Sequence, residues 1–305
     1  MSAYVTAIPT SVRATKDAPD SSAGFHAVAT QELMLLSEEQ IASFHENGFL
    51  SIGAVATADE IAALVPIYDD LFDRRVGFEQ GNYFDFAGEN DRDPALPQIL
   101  RPSKYEPRLR HGALYRNCAA LAAQLLGPTA EFVFDHAMVK PPGGPPTALH
   151  QDLAFWHAGM RHRIISFWIP LQEATEQNGC LRYIPRSNHG PLHAHRSIGG
   201  DPRKHGLEAV GVTDEAAVSC PLPAGGATVH HWLTCHGAHA NATSAPRRAY
   251  VMAFGALADR PLVSREYPWN RRKTTERARR HRASLRPWRR IKQEVKFRLT
   301  RWRLL

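Results

Sequence analysis

His150-Gln151-Asp152 places an imidazole and a carboxylate two residues apart, and His236 and Arg247 follow later in the chain. On an extended segment residues i and i+2 project to the same face, so His150 and Asp152 can address one ion while Gln151 points away. Two imidazoles and one carboxylate can hold one face of iron(II) and leave the other open for chemistry. The third ligand must come from elsewhere. His236 is the best candidate because it leaves the β-rich run 227–232 at a Cys-His-Gly turn, although His230, His231 and His239 stand near enough to be rivals. A lone His-x-Asp is a weak signal whose bland reading is a hydrogen-bonded surface pair. Arg247 adds weight to the metal reading. Strand alternation puts Arg247, Ala249 and Val251 on one face and Arg248, Tyr250 and Met252 on the other, so one arginine points inward. A buried arginine needs an anion, and a carboxylate gripped bidentately is the natural one.

The elements that must carry these residues are readable in outline. Ser37-Glu38-Glu39-Gln40 has the form of a capping box, and a helix follows through Ile41 and Phe44 until Gly48 stops it. Phe49–Ile52 reads as a short strand, and Thr57 caps a second helix running through Ile61, Leu64, Ile67 and Leu71. Residues 76–110 are polar and broken by Gly and Pro, which suggests a long loop able to cover a site. A third helix is expected over Gly112–Leu126. Short β-rich runs then follow at Glu131–Lys140, Ile164–Leu171, Leu181–Ile184, Ala227–Trp232 and Ala249–Gly255. Helices first and strands after indicate an α+β protein with a β-sandwich or barrel.

Charge is unevenly distributed. From Arg260 onward 17 Lys and Arg face three Glu, a net of +14 against +7 for the whole chain, so the remaining residues carry −7. That asymmetry points to an anionic surface as the partner of the tail. Cys118, Cys180, Cys220 and Cys235 include no Cys-x-x-Cys pair, which excludes a zinc knuckle or redox dithiol and reads as buried, reduced thiols. No stretch has signal-peptide character or bilayer-spanning length, so a cytoplasmic enzyme is expected. Three regions are expected: a flexible arm over 1–32, a catalytic domain over 33–260 and a basic extension over 261–305.

Several ordered motifs together are more specific than any one. Ser37–Phe49, Lys140-Pro141-Pro142, His150-Gln151-Asp152-Leu153, Trp168, Asn178-Gly179-Cys180-Leu181, Pro185–His189 and His236-Gly237 through Arg247-Arg248 form such a set. Over roughly residues 37–257 the chain resembles the phytanoyl-CoA dioxygenase family of iron(II)- and 2-oxoglutarate-dependent oxygenases. The resemblance implies a double-stranded β-helix, a cupin-like jelly-roll with flanking helices. It implies His150, Asp152 and His236 as metal ligands and Arg247 as partner of the distal carboxylate of 2-oxoglutarate. Trp168 and Lys140 would lie beside that co-substrate, and no catalytic residue is expected beyond the ligands. Iron(II) would be the cofactor, with 2-oxoglutarate and O2 as co-substrates for hydroxylation of an unactivated C–H bond. Intact Asp152 leaves no vacant carboxylate position for chloride, so halogenation is not expected. Pro185-Arg186-Ser187-Asn188-His189 departs by one residue from the family's usual Pro-Gly-Ser-His, which leaves the role of His189 open.

Phe155 and His157, just after the metal motif, are candidates for the substrate mouth together with His162, with a plain surface role as the alternative for the two histidines. His189, His193 and His195 read as a solvated loop rather than a second metal site. In the tail, Trp288, Ile291, Val295, Leu299 and Trp302 fall on one side of a helix and basic residues cover most of the rest. Such a helix over 284–305 suits an anionic membrane surface or packing on the acidic body; nucleic acid is not favoured, because no recognition motif accompanies the charge. A peripheral enzyme on the inner face of the membrane would suit a lipid-linked anionic sugar, and hydroxylases of the Kdo sugar of lipopolysaccharide are one similar branch. The competing readings are a soluble hydroxylase tailoring a secondary metabolite or acyl thioester, and a non-catalytic metal- or sugar-binding jelly-roll. A zinc hydrolase would leave Arg247 without a role.

Overall fold

Ser37 and Thr57 both close capping boxes, with Gln40 and Glu60 returning the bond, and so start α1 (Glu38–Asn47) and α2 (Ala58–Asp73) where the sequence puts them. Gly48, at φ 80°, ends α1, and a Cβ there would strike Thr234 and Asn188. α3 (Ala113–Leu126) buries Leu114, Cys118, Leu121, Ala122 and Leu125 along one stripe. The computed structural model describes residues 34–156, 163–256 and 267–285. The expected arm over 1–32, His157, His162 and all of the 284–305 helix except Ser284 and Leu285 lie outside the described residues.

The strands are β1 (Phe49–Ile52), β2 (Tyr83–Asp85), β3 (Pro97–Leu100), β4 (Ala130–Lys140), β5 (Thr147–His150), β6 (Ile164–Pro170), β7 (Leu181–Tyr183), β8 (His195–Ser197), β9 (Leu207–Ala209), β10 (Val218–Ser219), β11 (Ala227–His231), β12 (His236–Ala238) and β13 (Arg247–Ala256). They form an antiparallel sheet of seven, ordered β1-β11-β6-β13-β4-β3-β2, an antiparallel sheet of four, β10-β7-β12-β5, and the pair β8-β9. Two sheets facing each other with helices on one outer face give the expected α+β jelly-roll. The expectation of a continuous loop over 76–110 is corrected: β2 and β3 extend the large sheet beyond β4. The Gly- and Pro-rich surroundings hide them, and strands of three or four residues are too short to show a period.

Alternation along the long strands separates two cores. Phe167, Ile169, Tyr250, Met252 and Phe254 face outward and pack with Tyr68, Leu71, Leu121 and Leu125 of α2 and α3. Trp168, Ala249 and Val251 face inward and meet Leu181, Tyr183 and Ala238 of the small sheet. Burial of each such large apolar side chain contributes about 1.5–3 kcal/mol, so the helices hold the large sheet rigid from behind while its inner face is left for polar groups. In the expected extension, α4 (Pro268–Arg271) and α5 (Glu276–Ser284) pack on this body. Trp269 Nε1 and Asn270 Nδ2 donate to Ala154 O at 2.9 and 2.8 Å, and Arg280 pairs with Asp91.

Tyr68 ties α2 to the sheet through a buried hydroxyl that accepts from Met138 N at 2.7 Å and donates to Ala249 O. Tyr68→Phe leaves both backbone groups without that partner. Chemical denaturation is expected to show a loss of about 1–3 kcal/mol; a change below about 0.5 kcal/mol would contradict the assignment.

Candidate active site

β5 ends at His150, Gln151 remains extended at φ −115° and ψ 130°, and the chain turns at Asp152 into a short 3-10 helix. His236 opens β12 directly opposite His150 in the small sheet, and cross-strand partners project to the same side. Their ring centroids lie 4.4 Å apart. Asp152 Oδ1 sits 3.7 Å from His150 Nε2 and 3.6 Å from His236 Nε2, and the three potential ligand atoms all lie within 4.8 Å of one another. Each histidine turns its other nitrogen to a backbone carbonyl two residues back, His150 Nδ1 to Ala148 O at 2.8 Å and His236 Nδ1 to Thr234 O at 2.9 Å. That pattern assigns the proton to Nδ1 and the lone pair of both rings to Nε2.

Burial pushes both imidazoles down to about 4, so they are neutral at pH 7. Burial acts to raise Asp152, but His236, the His230 hydrogen bond and His150 outweigh it and hold the carboxyl well below its usual range. Neutral imidazoles beside an ionised carboxylate are the protonation state that a divalent cation requires. Asp152 is further fixed through its second oxygen. Oδ2 accepts from Ser166 Oγ at 3.0 Å and His230 Nε2 at 3.2 Å, Ser166 Oγ accepts from Trp232 Nε1 at 3.0 Å, and His230 Nδ1 lies 3.1 Å from Tyr183 Oη. His230, a rival ligand from sequence, is instead the partner of the carboxylate, because β11 pairs it with Ser166 on the inner face of β6.

Gln151 points away from the triad as its position requires. Its Nε2 donates to Leu233 O at 2.7 Å, its Oε1 accepts from His193 N at 2.9 Å, and its backbone N–H donates to His195 Nε2 at 3.2 Å. The solvated reading of His195 is thus corrected: it is buried, because β8 pairs with β9 and turns the ring toward Gln151. His189, in contrast, stays on the outer loop, with Nε2 2.9 Å from Glu46 O.

The two arginines divide as alternation predicts. Arg248 points outward and grips Asp69 of α2 through Nε and Nη2 at 2.5 and 2.9 Å. Arg247 points inward and is 2% exposed, opposite Lys140, which is fully buried. Arg247 Cζ lies 5.2 Å from the Trp168 ring, Nη1 reaches only Met138 Sδ at 3.9 Å, and Arg247 Nε and Trp168 Nε1 have no hydrogen-bond partner among the described residues. Lys140 Nζ donates to His239 O at 2.5 Å, and Gly179, at φ 84°, leaves room where a Cβ would meet that carbonyl and crowd Nζ. Burial, then the charges of Arg247 and Arg182, pushes Lys140 down to about 6, and burial lowers Arg247 to about 10. Neither group has a carboxylate at ion-pair distance among the described residues, an arrangement that could take up an anion. His136, a residue that sequence reasoning missed, shares the inner face of β4 with Met138 and Lys140 and pairs with Val251. The spacing 136, 138, 140 carried that signal.

Phe155, assigned to the substrate mouth from sequence, has its ring 5.7 Å from that of His150, with Phe86 6.2 Å from the same histidine. Phe86 comes from the 76–110 region expected to cover a site.

The hydrogen bond from Ser166 to Asp152 orients the carboxylate without touching the ion, so its loss is expected to weaken metal binding while leaving the ligand set intact. Ser166→Ala should lower iron(II) affinity about 10–100-fold in anaerobic competition with a chelator. An unchanged affinity would show that Asp152 needs no such support.

Comparison with known proteins agrees with this geometry. A family model described as phytanoyl-CoA dioxygenase (PhyH) matches residues 44–249. The probable alpha-ketoglutarate-dependent hypophosphite dioxygenase of Stutzerimonas stutzeri is 24% identical over 233 residues, covering 74% of this chain and 80% of that protein. The ectoine dioxygenase of Sphingopyxis alaskensis is 25% identical over 258 residues, covering 77% and 82%. Among solved structures, EvdO2 from Micromonospora carbonacea var. aurantiaca complexed with 2-oxoglutarate superposes with a TM-score of 0.65 at 34% identity, covering 78% of this chain and 97% of that one. Since the family model spans more than half of the sequence and the fold and donor set agree with it, the chain belongs to the phytanoyl-CoA dioxygenase family and is an iron- and 2-oxoglutarate-dependent dioxygenase.

Proposed function

We propose that His150, Asp152 and His236 hold the iron, that Arg247 with Lys140 and Trp168 holds 2-oxoglutarate, and that the enzyme hydroxylates an unactivated C–H bond of a small molecule. The observation that carries this reading is the buried Arg247–Lys140 pair, without a carboxylate partner among the described residues, on the inner face of the sheet that also holds Ser166 behind Asp152. When bound, iron and 2-oxoglutarate supply oxidative decarboxylation, in which O2 is consumed and succinate and carbon dioxide accompany the hydroxylated product.

The chain's own residues position and insulate. Arg247 offers a planar fork that matches a carboxylate bidentately, and Lys140 adds a point charge beside it. Trp168 and Val251 wall the pocket with apolar surface, which excludes water and strengthens the interaction between those cations and an anion. Ser166 and His230 keep Asp152 ionised and oriented, and the carbonyls of Ala148 and Thr234 keep both Nε2 atoms free of protons.

The substrates that name the relatives, hypophosphite and ectoine, are small molecules, and this favours a tailoring hydroxylase over an enzyme of lipid-linked Kdo. Support for the membrane reading rests on a tail of which only Ser284 and Leu285 are described. Among the described residues no helix is long and apolar enough to cross a membrane. The four buried, unpaired cysteines suit a reducing compartment, in keeping with a cytoplasmic enzyme.

Added iron(II) and 2-oxoglutarate should give oxygen uptake matched by succinate, and Asp152→Ala should abolish both; turnover retained in that variant would sink the ligand assignment. Lys140 gives a second test through pH. Its pKa is depressed to about 6 in the protein, so it is neutral at pH 7–8, and a bound carboxylate favours its protonated form. Binding therefore takes up a proton above pH 6, and affinity for 2-oxoglutarate falls as pH rises, by up to about tenfold per unit. Anaerobic calorimetry from about pH 6.5 to about pH 8.5 should show this slope in the native protein and a flat profile in Lys140→Met. Equal slopes in the two would remove Lys140 from the co-substrate pocket.

A further inference from the structure

Residues 267–285 lie beyond the family match at 44–249, yet they reach the mouth of the site. Trp269, Asn270 and Arg280 anchor this segment. The first two hold Ala154 O, in the turn that follows Asp152, and Arg280 is engaged with Asp91 and with the carbonyls of Phe78 and Tyr83. Two further cations of the segment, Lys273 and Arg277, lie over aromatic rings on this side. Lys273 Nζ lies 4.9 Å from the centroid of Phe155 and donates to His205 O at 2.6 Å. Phe155 in turn lies edge-on to His150, so a single aromatic ring separates Lys273 from a candidate metal ligand. Arg277, in the first turn of α5, places Cζ 5.0 Å from the Phe84 ring, and its buried Nε has no hydrogen-bond partner.

Neither cation has an ion pair among the described residues, and the carboxylates of this region are committed elsewhere. Asp91 pairs with Arg280 and accepts from Asp85 N, Glu276 accepts from Asp91 N, and Asp85 accepts three backbone N–H groups. Burial, then the neighbouring Arg277, lowers Lys273 to about 7, and burial lowers Arg277 to about 10 although the charge of Asp91 acts the other way. One carbonyl and two ring faces compensate these half-buried charges only in part, and an anion bound beside the reaction centre would complete the compensation. Between them and His150 stand Phe155, Phe86 and His205, with Phe155 and His205 stacked at 5.7 Å and 21°.

We infer that the substrate carries an oxyanion, a carboxylate or phosphoryl group, which Lys273 and Arg277 hold at the mouth while its carbon skeleton lies against Phe155, Phe86 and His205 in front of the metal. This rests on the proposed iron and 2-oxoglutarate site and adds the class of molecule presented to it. The ammonium supplies a compact charge and the guanidinium a fork, a pairing that suits an oxyanion and gives a neutral group no comparable attraction. The specificity element thus comes from the C-terminal segment, whereas the reaction centre comes from the part that matches the family.

Phenyl phosphate, benzoate and the neutral benzyl alcohol serve as probes, titrated anaerobically into the full chain loaded with iron(II) and 2-oxoglutarate. The expected result is binding of at least one anion with at least tenfold preference over benzyl alcohol. The tighter anion identifies the group as phosphoryl or carboxylate. Lys273→Met and Arg277→Met should each weaken the anion tenfold or more without weakening benzyl alcohol, and Lys273→Arg should restore most of the loss. Equal anion affinity in the native protein and both methionine variants would overturn the inference, as would no preference for an anion or no anion binding at all. Affinity for 2-oxoglutarate is measured in the same samples. Its absence in the native protein would overturn the underlying site, whereas its presence with no anion effect would overturn only the substrate class.

Discussion

The carboxylate of Asp152 is the interaction on which the site depends. One oxygen faces the two Nε2 atoms of His150 and His236, and the other is taken by Ser166 and His230. A half-buried carboxylate held this way must be compensated on both sides, since burial of a charge costs several kcal/mol. The compensation draws on both sheets of the jelly-roll: β5 and β12 bring the imidazoles, β6 and β11 bring Ser166 and His230, and Trp232 and Tyr183 fix those partners in turn. The packing of helices behind the large sheet therefore has a chemical consequence, because a shift of β6 against β11 would release one of the two bonds on Oδ2.

The anion pocket follows the opposite logic. Arg247 and Lys140 are buried with a methionine sulfur and a backbone carbonyl for company, and the strands β4 and β13 set them opposite each other, with burial and the Arg247 charge favouring the neutral form of Lys140. Such a pair is a costly arrangement without a ligand and a preorganised one with it. Lys273 and Arg277 repeat part of this pattern at lower burial, each over an aromatic ring and without an ion pair among the described residues.

Much of this was legible in the sequence wherever one strand or helix carried the information alone. The capping boxes at Ser37 and Thr57, the inward Arg247 beside the outward Arg248, and the common face of His150 and Asp152 all follow from periodicity within one segment. The convergence of His236 on that pair came from its place after β11 together with the family resemblance. What stayed hidden depends on register between strands far apart in sequence. His230 could be told from a ligand only once β11 was paired with β6, and His195 could be recognised as buried only once β8 was paired with β9. The strands β5, β8, β9, β10 and β12 have two to four residues, too few for any pattern to declare itself. The docking of the described part of the basic extension was not legible because its anchors, Trp269, Asn270 and Arg280, find partners in segments distant in sequence.

In the proposed function one metal ion and one dicarboxylate fill this interior together, the ion at the Asp152 triad and the far carboxylate at Arg247. A crystal structure grown without oxygen in the presence of iron(II) and 2-oxoglutarate tests both parts at once. Metal density joined to His150 Nε2, Asp152 Oδ1 and His236 Nε2 is expected, with the co-substrate running from it to the Arg247 guanidinium. Metal bound through His230, or a co-substrate whose distal carboxylate ends away from Arg247 and Lys140, would contradict the proposal.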